Sequence, residues 1–157
     1  MAASTRELLA DAAARAQRYL DGLPGRAVAP STAAIDALPL LGNALPEEPG
    51  DAAQVLARLD EIISPATMAM AGPRFFGFVI GGSLPVTLAA NWLATAWDQN
   101  TGLHAVTPGT SHIEQLALDW LLDVLQLPAG TAGAFVTGAT VANMTALAAA
   151  RHRVLAD

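Results

Sequence analysis

The strongest constraint on the fold comes from residues 75–97, which carry no charged side chain. A stretch of this length could span a bilayer, for which about 20 apolar residues suffice. A Gly-Gly-Ser-Leu-Pro sequence at residues 81–85 interrupts its middle, however, and Asn91 adds a polar group. No cluster of Lys or Arg marks a cytoplasmic flank. We therefore predict no membrane span but an apolar strand or loop that leads into a buried helix.

The charged residues exclude several kinds of chemistry. All eight basic residues of the 157-residue chain are arginines, and there is no cysteine. A Schiff base to a lysine of this chain, thiolate catalysis and thiolate metal sites are thereby excluded. Fourteen acidic residues give a net charge of -6, which argues against a nucleic-acid partner.

The composition also indicates that the chain has more apolar surface than one small domain needs. Hydrophobic residues make up 53% and charged residues 14%, against a typical charged share of roughly 25%. We expect a partner or further chain to cover the excess. Arg6 and Glu7 interrupt any apolar core of a secretory signal, so a cytoplasmic location is the default expectation.

The first part of the chain predicts two helices joined by an irregular arm. Residues 4–22 form an amphipathic helix with Ser4 or Thr5 as its N-cap. Residues 23–50 are rich in proline and glycine, which is typical of an arm that wraps over a surface. Asp51 then caps a second helix over residues 52–63, which Ser64-Pro65 ends.

The second part of the chain predicts three helices and one short strand after a β-rich run. Residues 75–80 are aromatic and β-rich, and Trp92, Trp97 and Trp120 recur with Leu and Ala at helical spacing, as core residues do. The three histidines, His104, His112 and His152, do not form a set of metal ligands, and no metal site is predicted. The predicted elements are a nearly uncharged central helix at 85–98, a helix at 111–126, a short strand at 133–137 and a helix at 141–155.

The turn at residues 138–140 is the candidate binding site. A strand, a small-residue turn and a helix together present free N–H groups and the positive end of a helix dipole to an anion. The hydroxyls of Thr137 and Thr140 add donors. The same pattern also fits a simple helix cap with close packing of helix on sheet.

Four motifs extend this pattern to most of the chain: GPRFFGFVIGGSLP, AANWLATAWDQN, TPGTSHIEQLALDWLLDVLQLP and GAFVTGATVANMTALAAARHRVL. Residues 72–155, which contain them, resemble the group II pyridoxal-phosphate-dependent amino acid decarboxylases, relatives of aromatic amino acid and glutamate decarboxylases. The N-terminal helix and proline-rich arm also resemble that family's opening segment.

The resemblance implies an α/β, fold-type-I architecture and pyridoxal 5'-phosphate as cofactor. The chain would supply its mostly helical N-terminal part and the first strand of the large-domain sheet. It also implies a homodimer whose N-terminal arms embrace the partner subunit. The domain expectation is an arm over residues 1–50 and an incomplete cofactor-binding domain over residues 51–157.

The resemblance also assigns two sets of binding residues. The family's segment near the substrate falls on Ile80, Gly81, Gly82 and Ser83. The family's phosphate turn falls on Thr137, Gly138, Ala139 and Thr140. Val141 stands where many relatives carry an acidic residue, and the glycines stand where aromatic-specific relatives carry polar groups.

The family's ring-stacking histidine, its aspartate and its Schiff-base lysine all lie downstream of the matched region. We therefore expect the N-terminal part of a carboxy-lyase for L-amino acids, which has no catalytic residue of its own and is inactive without a complementing C-terminal part. Two alternatives remain. One is a non-catalytic helical protein that kept the dimerisation surface, and the other is an aminotransferase on the same fold.

Overall fold

The computed structural model describes residues 3–155. The chain divides into two compact units, one up to Ala89 and one from Ala90 onward. A 3₁₀ turn spans Leu38–Leu41, and a π-helical turn spans Leu59–Ile63. The α-helices in the described range are α1 (Thr5–Gly22), α2 (Thr32–Asp36), α3 (Ala52–Arg58), α4 (Ser64–Ala66), α5 (Pro85–Trp97), α6 (Pro108–Val124) and α7 (Ala139–Leu155).

Helix α1 begins with a capping box, which confirms the predicted cap. The Ser4 hydroxyl accepts a hydrogen bond from the Glu7 N–H at 3.3 Å, and the Glu7 carboxylate accepts one from the Ser4 N–H at 2.7 Å. The bond from the Ser4 backbone, followed by the bond from its hydroxyl, lowers the pKa of Glu7. Two N–H groups that the first helical turn cannot satisfy thus find partners.

The second predicted helix forms, but it does not end where expected. The Asp51 carboxylate caps α3 by accepting from the Gln54 N–H at 3.0 Å. The π-helical turn Leu59–Ile63 then joins α3 to α4, so that helical structure continues to Ala66. Pro65 lies in the first turn of α4, where a helix tolerates a residue without an N–H.

The arm at residues 23–50 is more ordered than its composition predicts. It contains α2 and the 3₁₀ turn, and Arg58 of α3 donates to the carbonyls of Leu40 and Leu41 at 2.7 and 3.0 Å. The Ala69 N–H donates to the Val28 carbonyl at 3.0 Å. The arm therefore packs on the helices of its own unit. The buried apolar residues are few, Leu23 at 6% and Ala69 at 3% exposure.

The predicted strand at residues 133–137 is not confirmed, and residues 75–80, for which a strand or a loop was predicted, form a loop. Residues 75–80 and 133–137 are irregular, and no strand occurs anywhere in residues 3–155. A strand is defined by hydrogen bonds to a neighbouring strand, and the described part of the chain offers these segments none. Gly133 instead lies against α6, where an added Cβ would come within 2.6 Å of the Leu118 side chain.

The predicted burial of the tryptophans is wrong for this chain. Trp92, Trp97 and Trp120 are 39%, 51% and 64% exposed, and α5 is not a buried central helix, since no residue in it is buried. Apolar side chains on α5 and α7 are all exposed, whereas some of those on α1 and α6, such as Leu20 and Leu118, are half-buried. No helix within residues 3–155 is both long enough and apolar enough to cross a membrane.

Candidate functional site

The candidate phosphate turn lies directly at the start of α7. The Gly138 carbonyl accepts a hydrogen bond from the Ala142 N–H at 3.0 Å, which makes Gly138 the residue that precedes the first helical turn. The helix therefore begins at Ala139, two residues earlier than predicted. As a consequence, Ala139 and Thr140 belong to the first turn, where backbone N–H groups have no partner within the helix.

The beginning of α7 differs from that of the first three helices. Side chains of Ser4, Ser31 and Asp51 cap α1, α2 and α3. Within the described residues, no side-chain hydrogen bond involves Thr137 or Thr140, and the first turn of α7 has no acidic residue. Amides and hydroxyls at this end of the helix are thus open to a ligand.

The composition of the turn suits a phosphate group. Thr137, Gly138, Ala139 and Thr140 are exposed, and the position of a Cβ on Gly138 has no atom within 4 Å. A phosphate could approach the backbone there and accept bonds from first-turn N–H groups and two hydroxyls, at the positive end of the helix dipole. The residues present therefore fit the phosphate of the cofactor that the sequence motifs imply.

The candidate substrate segment, residues 80–83, follows a strained stretch of backbone. Phe78 and Val79 have φ values of 59° and 55°, and Gly81 and Gly82 have values of 110° and 85°. The left-handed region is costly for a β-branched residue such as Val79. A Cβ on Gly81 would also come within 3.0 Å of the Met70 carbonyl oxygen and of the Phe75 ring. Glycine is thus required at position 81 for two independent reasons.

The two candidate segments lie in different units of the chain. The substrate segment, with Ser83 exposed at its end, belongs to the first unit, and the phosphate turn belongs to the second. The histidines His104, His112 and His152 are exposed. The described residues contain no group of three or more side chains that could hold a metal ion.

The structure contains one polar cluster that the sequence did not predict. Asp60, in the π-helical turn, accepts from Arg15 of α1 at 3.0 Å, from Arg18 at 3.4 Å and from the Ser64 hydroxyl at 3.0 Å. Burial raises the pKa of Asp60, but the bonds from Ser64 and Arg15 and the charges of both arginines outweigh it, so that the pKa is lowered. The only signal in the sequence was the spacing of three between Arg15 and Arg18, which places them on one face of α1.

Comparisons with known proteins identify the family to which the chain is similar. Residues 35–157 match the pyridoxal-dependent decarboxylase conserved domain. The chain is 30% identical over 145 residues to the aromatic-L-amino-acid decarboxylase of Mus musculus and 31% identical over 145 residues to that of Sus scrofa. Each match covers 87% of this chain and 30% of the relative.

The fold has a counterpart among solved structures. A crystal structure of mouse CSAD superimposes with a TM-score of 0.82 at 22% identity, over 96% of this chain and 32% of that chain. Its apo form gives a TM-score of 0.83. The chain therefore shares the fold of the corresponding part of that structure, whereas the first sheet strand is not confirmed.

The chain belongs to the pyridoxal-dependent decarboxylase family. It corresponds to the N-terminal portion of that family and spans about 30% of the length of the curated relatives it matches. The four sequence motifs implied this family and its cofactor, pyridoxal 5'-phosphate, and both predictions are confirmed.

Proposed function

We propose that this chain is the N-terminal part of a pyridoxal-phosphate-dependent carboxy-lyase for L-amino acids and that it contributes part of the cofactor's phosphate site. The observation that carries the proposal is the position of Gly138 directly before the first turn of α7, between the hydroxyl side chains of Thr137 and Thr140. Helices α1, α2 and α3 have a Ser or Asp side chain as cap at this position, whereas α4 and α6 have no side-chain cap. A glycine there leaves the first-turn amides to an external anion.

The chain's own residues bind and orient in this reaction. Gly138 admits the phosphate to the backbone, and Ala139 and Thr140 hold it with N–H groups, to which the Thr137 and Thr140 hydroxyls add bonds. Gly81, Gly82 and Ser83 form part of the surface near the substrate, where the absence of side chains on the glycines leaves room for it. When bound, the cofactor supplies the electron sink for cleavage of a bond at the amino acid's Cα.

Two further features of the function follow from the family relationship, and a third, the location, follows from the sequence. The substrate is an L-amino acid, as for the relatives named aromatic-L-amino-acid decarboxylase. The assembly is a homodimer, which would cover apolar side chains such as Trp120 that this chain leaves exposed. The location is cytoplasmic. The glycines at positions 81 and 82 stand where aromatic-specific relatives carry polar groups, so these two positions offer the substrate no side-chain donor or acceptor.

The chain alone should be inactive, because it has no lysine to hold and release the cofactor. Incubation with pyridoxal phosphate and a panel of L-amino acids should release carbon dioxide no faster than pyridoxal phosphate does without protein. Co-expression with the C-terminal part of a family member should restore release above that background. Sustained turnover by the chain alone would contradict the proposal.

The phosphate site can be tested without turnover. Pyridoxine phosphate, which has no aldehyde and cannot react with the α-amino group, should shift the amide NMR signals of residues 138–141, whereas pyridoxine should not. Thr140→Val should weaken this binding about tenfold, as expected for loss of one hydrogen bond to a charged group. Thr145→Val, the same substitution further along α7, is the matched control. Equal binding by both variants would remove Thr140 from the site.

The exposed apolar surface favours one alternative, a non-catalytic dimerisation protein derived from the same fold. Such a protein would self-associate fully but show no difference between pyridoxine phosphate and pyridoxine. The same NMR experiment therefore distinguishes the two functions. An aminotransferase would be recognised by transfer of the amino group to a 2-oxo acid in the co-expressed complex.

A further inference from the structure

A second candidate binding site lies in the first unit, and its lining does not include the substrate segment. It is a cavity of about 470 Å³ whose lining includes Arg15, Arg18 and Arg26, three of the eight arginines of the chain. Asp60 is the acidic residue of the lining. In a chain with a net charge of -6, the convergence of three guanidinium groups on one cavity requires an explanation.

Arg15 is the arginine whose position is fixed by carboxylates. Its Nε donates to both carboxylate oxygens of Asp11, at 3.0 and 2.9 Å, and its Nη1 donates to Asp60 at 3.0 Å. These contacts, with the bond to Asp11 first, raise the pKa of Arg15. Arg15 therefore orients Asp60 and leaves little of its charge for a ligand.

Arg26 is held by backbone carbonyls and by an aromatic ring. Its Nη2 donates to the carbonyls of Ser64, Pro65 and Thr67 at the end of α4, the last two at 3.0 Å. Its guanidinium carbon lies 4.9 Å from the centre of the Tyr19 ring. The Tyr19 hydroxyl is in turn 2.8 Å from the Thr67 hydroxyl. The guanidinium plane is thus fixed, and within residues 3–155 its Nε and Nη1 make no hydrogen bond.

Arg18 is the least satisfied of the three. Its side chain is 62% exposed, and its contact is a 3.4 Å bond from Nη2 to the Asp60 oxygen that Arg15 already occupies at 3.0 Å. The three arginines carry three positive charges and Asp11 and Asp60 carry two negative ones, so that about one positive charge remains. A single anionic group matches that charge and the free donors of two guanidinium forks.

We propose that this cavity binds a carboxylate group, which Arg18 and Arg26 would hold as donors. Asp60 orients Arg18, and the carbonyls at the end of α4 orient Arg26. The small apolar residues Ala27, Ala29 and Pro30 line the same cavity, so the carboxylate belongs to a ligand with a compact apolar body. Planar guanidinium groups bind carboxylates in two-point contacts that an ammonium group cannot make. The carboxylate comes either from a free small molecule or from a peptide, and the test below separates the two.

The test uses the full chain and two probes of the same shape. Benzoate should bind with a stoichiometry of one, and benzamide, which lacks the charge, should bind at least about tenfold more weakly. The peptide source is tested with an acetylated tetrapeptide amide whose carboxylate is a central glutamate side chain. The same peptide with glutamine in place of glutamate is its control. Benzoate tighter than the glutamate peptide identifies a small-molecule site, and the reverse order identifies a peptide site.

Arg18→Gln should weaken binding of the preferred carboxylate about tenfold, and Arg18→Lys should restore part of the loss. Arg6→Gln makes the same change of charge on the same helix outside the cavity, and Thr140→Val tests the phosphate turn. Both should bind as the original chain does, and circular dichroism checks that each variant keeps its helices. Equal binding of benzoate and benzamide, no binding of either carboxylate, or an equal effect of Arg6→Gln and Arg18→Gln would overturn the proposal.

Discussion

The two units of the chain are held together in different ways. In the first unit, side-chain hydrogen bonds join residues up to 49 positions apart, as from Tyr19 to the Met68 carbonyl. In the described residues from Ala90 onward, every side-chain hydrogen bond joins residues no more than four positions apart. The first unit therefore has its own tertiary structure, whereas the helices of the second expose their apolar sides. A helix can form from local contacts, but its place in a fold needs distant ones.

The aromatic residues allow the two units to be followed separately. The single tyrosine, Tyr19, is in the first unit, and the three tryptophans are all beyond Ala90. Urea unfolding monitored by Tyr19 fluorescence reports on the first unit. Selectively excited tryptophan emission reports on the second.

The largest expected effect comes from Leu23→Ala. Leu23 is one of the few buried apolar residues, and its truncation should lower the free energy of unfolding of the first unit by about 3 kcal/mol. Leu125→Ala is the matched control, since Leu125 is 63% exposed. Its truncation should lower the free energy of unfolding by less than about 1 kcal/mol. Urea midpoints of both variants measure the difference. Equal losses would show that the two units do not differ in packing.

Arg26→Met should have the next largest effect, about 2 kcal/mol. The substitution keeps much of the side-chain volume but leaves the carbonyls of Ser64, Pro65 and Thr67 without their common donor. Arg6→Met, on the exposed face of α1, is the control. A loss confined to the Tyr19 signal would support the long-range contacts as the origin of stability, and an equal loss in Arg6→Met would contradict it.

Acid should weaken the first unit through Asp60. Because the folded-state pKa of Asp60 is lowered, its contribution is complete above the unfolded value of about 3.9 and is lost as the pH falls through the folded one. At pH values below about 4, we expect the urea midpoint measured by Tyr19 fluorescence to decrease. The corresponding loss in the free energy of unfolding is up to about 1 kcal/mol. Asp60→Asn should be less stable at pH 7 and should lack this part of the acid dependence. An unchanged acid dependence in Asp60→Asn would assign it to other carboxylates.

The smallest effect is expected from Val124→Lys in the second unit. Val124 is 75% exposed, so the substitution should change the free energy of unfolding by less than about 0.5 kcal/mol. It should nevertheless reduce self-association in analytical ultracentrifugation, because it places a charge on an exposed apolar surface. A large loss of stability would show that α6 is packed more tightly than its exposure indicates.

Local features were predictable from the sequence, and long-range ones were not. The caps at Ser4 and Asp51 were predicted, because a cap depends on residues three positions apart. The contact of Arg26 with Ser64 spans 38 positions and leaves no periodic signal. The apolar pattern identified the side of each helix that could be buried. It could not show whether anything covers that side, so the burial of Trp120 was predicted wrongly.

The candidate site was predictable in composition but less so in geometry. The run from Thr137 to Thr140 stood out by its small and hydroxyl side chains. The start of α7 was misplaced by two residues, because residues 138–140 were predicted as a turn, whereas Ala139 and Thr140 already belong to the helix. The arginine cavity was not predicted, since it depends on the π-helical turn that brings Asp60 into contact with Arg15 of α1.

The left-handed residues Phe78 and Val79 have a practical consequence for handling the protein. Their side chains are 80% and 104% exposed, and the backbone around them is neither helix nor strand. Proteases that cut after aromatic residues require such an accessible, irregular segment. Brief treatment with chymotrypsin will therefore cut first beside Phe76 or Phe78 and separate the peptide that carries α1 to α4 from the one that carries α5 to α7.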